Sequence, residues 1–104
     1  MRLPKALFAL TALATFIGCG PVRTTTALID ADVELEAARA AGASTTATYE
    51  YVSAEAYLHA AREAQGHSQY ETSEGFAVKA LALAKAARKK ALEASNATPR
   101  KEAP

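Results

Sequence analysis

Tryptophan is absent, cysteine and methionine occur once each, and four prolines and five glycines punctuate 104 residues. A single cysteine excludes an internal disulfide framework. The two histidines, His59 and His67, are separated by an expected helix end and lack the three- or four-residue spacing of metal ligands. Zinc needs three or four converging donors, so no metal site is expected. No glycine-rich phosphate loop occurs. Serines, histidines and acids are present, but no spacing fixes a base beside a nucleophile, so no catalytic residue, cofactor or enzymatic activity is expected. The formal net charge is only +1, and the basic stretch near the C-terminus has no interleaved aromatics, which argues against a nucleic-acid partner. The apolar run Ala6 to Ile17 is also short, about twelve residues against the roughly twenty that cross a bilayer.

What surrounds that run is informative. Arg2 and Lys5 precede it, and it ends at Phe16-Ile17-Gly18-Cys19. Basic start, apolar stretch, small residue and cleavage point follow the order of a secretory signal peptide, so residues 1–18 are expected to be removed. A signal ending on cysteine resembles the lipobox of bacterial lipoproteins, with Phe16 where leucine is usual. The resemblance implies that the Cys19 thiol is acylated and becomes the mature N-terminus, anchored to a membrane. Each buried lipid methylene is worth about 0.8 kcal/mol, so several acyl chains hold almost permanently. The alternative, an unmodified Cys19, leaves a lone thiol in an oxidising compartment. In lipoproteins an aspartate after the cysteine retains the protein at the inner membrane. Gly20 stands there, which implies the outer membrane with the body in the periplasm; a Gram-positive cell surface fits the same signal.

The remainder is rich in alanine, the best helix former, which buries little surface. Large apolar side chains are few, so the core is thin for the roughly 1.5 kcal/mol per residue of ordering entropy it offsets, and partner helices or self-association are expected. Charge is segregated. Asp30 to Glu74 carries nine acids against Arg39 and Arg62, and Lys79 to Lys101 carries seven bases against Glu93. The basic helix either pairs with acids inside the fold, the favoured reading, or meets anionic lipid or glycan.

Residues 19–26 read as the lipidated cysteine and a tether, 27–95 as a helical domain and 96–104 as a disordered tail. Ala27 to Ala41 reads as a first helix stopped by Gly42. Its centre, Asp30 to Ala37, also alternates with the period of a strand, but the Ala, Leu and Glu content and the lack of a partner strand favour helix. Ala43 to Thr46 is a small-residue turn, and Thr48 to Gln65 a second helix ending at Gly66 in a left-handed stop. Its stripe carries Tyr51, Ala54, Leu58, Ala61 and Gln65. Ser68 to Glu71 reads as a capping box opening a third helix to about Ser95, in which Gly75 costs about 1 kcal/mol unless something packs on it. Ala77, Ala80, Ala84, Ala87, Ala91 and Ala94 step by three and four, a heptad seam of alanine. The expected fold is all-α: a long antiparallel hairpin of the second and third helices plus a shorter N-terminal helix.

Tyr49, Tyr51, Tyr57 and Tyr70 gather at the second helix and the start of the third. They read either as bulk for a thin core or as a binding face for a peptide or a peptidoglycan strand. The stretch from Tyr49 through Tyr57-Leu58, Gly66 and Tyr70 to the alanine ladder resembles the small alanine-rich helical lipoproteins of Gram-negative bacteria. In some of these the same region precedes an OmpA-like peptidoglycan-binding domain, which this sequence does not carry. The shared positions are packing positions and bring no catalytic residue. The helix-turn-helix also resembles one tetratricopeptide unit, which does not stand alone as a solenoid. In the zipper lipoproteins that attach to peptidoglycan a C-terminal lysine makes the link, whereas Lys101 is followed by Glu102-Ala103-Pro104. The function expected is a structural or protein-interaction module anchored at the outer membrane, with a small peptidoglycan- or peptide-binding module as the alternative.

Overall fold

The computed structural model describes residues 19–97. Four helices make up this part: α1 (Cys19–Ala40), α2 (Ala43–Thr46), α3 (Thr48–Gly66) and α4 (Tyr70–Ala97). The fold is all-α, and the ambiguous stretch Asp30 to Ala37 lies inside α1. The expected signal peptide, residues 1–18, and all of the expected tail beyond Ala97 lie outside the described residues.

Side-chain ties between helices give the topology. Ser73 of α4 bonds Ala61 of α3, and Lys90 of α4 bonds Glu50 of α3, so these helices run antiparallel as expected of the hairpin. Arg62 reaches Asp32, making α1 and α3 antiparallel as well. Arg23–Glu74 and Glu34–Arg88 then make α1 and α4 parallel. The result is an up-down-up bundle in which α4, about 42 Å long at 1.5 Å per residue, is the element both other long helices pack against.

Each long helix buries one seam. In α1 it is Thr24, Leu28, Ala31, Leu35 and Ala38; in α3, Tyr51, Ala54, Leu58 and Ala61; in α4, Ser73, Ala77, Ala80, Ala84, Ala87 and Ala91. Steps alternate between three and four residues, the signature of knobs-into-holes packing. The alanine ladder of α4 is therefore the expected seam, with Ala94 half-buried at its end. Leu28, Leu35, Leu58 and Tyr51 supply most of the volume, and Tyr57, Phe76, Leu81 and Leu83 pack around them.

Three boundaries differ from the sequence reading. The segment expected as a tether, 19–26, is the first part of α1, and α1 with 22 residues is longer than α3 with 19. Tertiary contact overrides the weak local preference there: Thr24 is fully buried and donates to the Tyr70 carbonyl, Arg23 pairs with Glu74, and Thr26 bonds back to Val22. Pro21 falls in the opening turn, where its missing N–H costs no helical bond. Ala43 to Thr46, expected as a small-residue turn, forms a single turn of helix, held into the core by Ala43 and Ala47. α4 also continues to Ala97, two residues beyond the expected end.

The turns show one expectation met and one corrected. Gly42 takes the left-handed conformation, φ 86, and ends α1 as expected. At the other turn the left-handed residue is Ser68, φ 58, not Gly66, which is the last residue of α3. The Gln69 N–H bonds the Ala64 carbonyl at 2.9 Å and the Ser68 N–H bonds that of Gln65 at 3.0 Å, the Schellman closure. Ser68 thus closes α3 and does not cap α4 as the expected capping box required; an N-cap residue sits in the β region. The Ser73 N–H bonds the Gln69 carbonyl, so Gln69 opens α4.

Candidate functional site

Cys19 is the first residue of α1, and because α1 and α4 are parallel it lies at the same end of the bundle as the α3–α4 turn, Gly66 to Gln69. That end is tied laterally. Thr24 Oγ1 donates to the Tyr70 carbonyl at 3.1 Å, Gln65 Nε2 to Thr25 Oγ1 at 3.4 Å, and Ser73 Oγ to the Ala61 carbonyl at 2.6 Å. The buried polar groups in the seam are thus hydrogen-bonded where burial demands it. The opposite end holds α2, the start of α3 and the basic part of α4.

The four tyrosines do not share a face. Tyr49 is 75% exposed at the start of α3, while Tyr51, two residues on, points into the core at 8% exposure. Tyr57 is half-buried, its ring 6.0 Å from that of Phe76, with the Lys79 ammonium 5.6 Å from its centre. Tyr70 lies at the far turn, about 25 Å from Tyr49 along α3. Burial raises the Tyr51 pKa above 10.0, and the nearby Glu55 carboxylate adds to the effect. Tyr51 and Tyr57 therefore do the packing work weighed in the sequence, each against a different neighbour.

Two members of the basic part of α4 pair inside the fold. Arg88 contacts Glu34 of α1 at 3.2 Å and Lys90 contacts Glu50 of α3 at 3.2 Å. Arg62–Asp32 and Arg23–Glu74 bridge further helices at 2.7 and 3.1 Å. In each pair the basic partner is solvent-exposed, so these pairs select register more than they stabilise. Glu50 is set apart. Its own backbone N–H, at the open first turn of α3, holds the carboxylate below the usual range, and Lys90 adds to this against a desolvation cost. The other carboxylate oxygen is buried with no partner among the described residues.

His59 and His67 are exposed on α3 and just past its end. Among the described residues no cluster of His, Cys, Asp or Glu converges as metal ligands, and no helix is long and apolar enough to cross a membrane.

What the surface does offer, and what the sequence reading missed, is a second seam on α1. Ile29, 56% exposed, lines the groove toward α3, whereas Val22 and Val33, 64% and 62% exposed, line the one toward α4, with Val78 of α4 54% exposed across it. Ala27 and Leu81, both half-buried, lie between them, with Asp30, Glu34 and Lys85 along the rim. Comparison with known proteins returns no matching family model, no matching curated protein and no matching solved structure.

Proposed function

We propose that this chain is a lipid-anchored protein of the bacterial envelope, held through Cys19 at the periplasmic face of the outer membrane. Its helical domain acts as a non-catalytic protein-interaction module, in the manner of the small alanine-rich lipoproteins it resembles. The observation that carries the reading is the basic–apolar–small sequence ending on Cys19, together with the helical state of residues 19–26 that follow it. With acyl chains on Cys19 no flexible spacer separates lipid from bundle. The domain stands directly on the membrane, its α3–α4 turn toward the headgroups and its basic end about 40 Å away.

Palmitate labelling in a bacterial host tests the anchor. The wild type is expected to incorporate label and fractionate with membranes, and Cys19→Ser to lose both. Unlabelled, freely soluble wild-type protein overturns the proposal.

A further inference from the structure

We infer that the exposed α1–α4 face binds a second copy of this chain, parallel to the first, with α1 of each packed on α4 of the other. α1 carries two seams. Thr24 to Ala38 is buried; the other, Val22, Thr26, Ile29, Val33, Glu36 and Ala40, also steps by four and three but faces solvent, with its three large apolar residues more than half exposed. α4 repeats the arrangement, with Glu74, Val78, Leu81, Lys85, Arg88 and Leu92 in the same steps beside its alanine seam. A surface helix of a finished bundle has one apolar stripe, and two stripes mark a helix packed on two sides.

Charge selects the occupant. The α1 crest is flanked by Asp30, Asp32, Glu34 and Glu36, so two α1 helices facing each other repel. α4 instead brings Lys85 and Arg88 to its outer seam. Asp30 and Lys85 make no ion pair among the described residues, and both line the open groove. A two-fold axis parallel to the helices puts α1 opposite the partner's α4 and nothing opposite itself.

Register follows from the fold. Within the chain α1 and α4 are matched at separations of 51 and 54 positions, by Arg23–Glu74 and Glu34–Arg88. An offset of 52, between these two, sets Ile29 against the partner's Leu81, Thr26 against the partner's Val78 and Ala40 against the partner's Leu92, with Val22 and Val33 against the aliphatic stems of the partner's Glu74 and the partner's Lys85. Glu36 meets the partner's Arg88. The dimer repeats a helix pairing the chain already makes. The direction rests on the anchored reading, because two chains acylated at Cys19 in one membrane must point the same way. An antiparallel pair separates the two anchors by the bundle length. The footprint, about 28 Å of two adjacent helices, is on the order of 550 Å² per copy, so association is weak in solution and strengthened by confinement to one membrane.

Sedimentation equilibrium on residues 19–104 carrying Cys19→Ser, which hold the whole bundle core, reads the association apart from the anchor. At up to about 1 mM the chain is expected to dimerise. Ile29→Glu and Val33→Lys, at exposed positions, the second set against the partner's Lys85, are expected to weaken the dimer at least about tenfold with helicity unchanged, and Val52→Glu on α3 to leave it intact. Spin labels at Gln69→Cys then give direction: about 30 Å or less between copies for the parallel dimer, more than about 40 Å for an antiparallel one. A strict monomer, a dimer insensitive to Ile29 and Val33, or a long label distance overturns the inference. Palmitate labelling is read independently, so a soluble parallel dimer without acylation removes the anchor alone, and an acylated monomer removes the dimer alone.

Discussion

Ser73 Oγ donates to the Ala61 carbonyl at 2.6 Å, fully buried, in a seam whose other members on α4 are alanines. This contact fixes α3 against α4 next to their connecting turn, where a seam of small side chains alone resists sliding poorly. Ser73→Ala keeps the volume and removes the bond, and is expected to cost about 1 kcal/mol. Ser73→Val adds a branch where no space exists, and is expected to cost about 1–3 kcal/mol. Urea unfolding followed by circular dichroism checks both; equal stability of wild type and Ser73→Ala would show that the bond contributes nothing.

Two positions, one inside α4 and one in the α3–α4 turn, carry the wrong residue for their conformation and give stabilising substitutions. A Cβ placed on Gly75 meets nothing within 4 Å, so its helical cost has no packing compensation, and Gly75→Ala is expected to stabilise by about 0.5–1 kcal/mol. Ser68 holds φ 58 with a side chain that disfavours it, so Ser68→Gly is expected to gain about 1 kcal/mol. Gly66→Ala should be tolerated, since Gly66 is helical and its Cβ direction is open. Thermal unfolding of the three single variants ranks them; a destabilised Ser68→Gly would contradict the assignment of the left-handed position.

These variants show where the sequence was readable. The α4 ladder was legible because alanine at steps of three and four, between charged neighbours, admits one helical reading. α1 was harder: its buried Leu28 and Leu35 interleave with equally apolar Ile29 and Val33, so two seams compete and a strand-like alternation appears between them. Its first turns, with glycine, proline and three threonines, carry weak helix preference; contacts of Arg23 and Thr24 with α4 decide their state, and those are 46 or more residues away in the chain. Gly66 was the better left-handed residue locally, yet the turn closes through Ala64, which is buried and accepts from Gln69. The tyrosines looked like one group because they are near in sequence, whereas the helical wheel sends Tyr49 and Tyr51 to opposite sides.

Titration should separate two groups by sign. The Tyr51 pKa is raised in the fold, so its contribution to stability is fully present below the unfolded value of about 10 and lost as pH rises through the folded one. The difference between wild-type and Tyr51→Phe absorbance titrations at alkaline pH should therefore show a midpoint above 10.0. Glu50 is lowered, so its contribution is present above the unfolded value of about 4.3 and lost as pH falls through the folded one. Glu50→Gln should flatten the acid limb of the stability profile below about pH 4 and leave the alkaline limb unchanged. An alkaline midpoint at or below that of a free phenol would remove Tyr51 from the core.

The alanine seam predicts an asymmetry between adding and removing volume. Ala84 and Ala87 are fully buried where α4 meets both neighbouring helices, so their small size sets how closely the helices approach. Ala84→Leu raises hydrophobicity but has no cavity to enter, and is expected to destabilise by about 1–3 kcal/mol or to splay the bundle. Leu58, 2% exposed, is the largest of the fully buried side chains, and Leu58→Ala is expected to cost about 2–5 kcal/mol. For a thin core with a total stability of about 5–10 kcal/mol that is a large share, and partial unfolding at physiological temperature should follow. If Ala84→Leu instead raised the unfolding temperature, the helices would have room between them, and the close packing on which the register rests would fail.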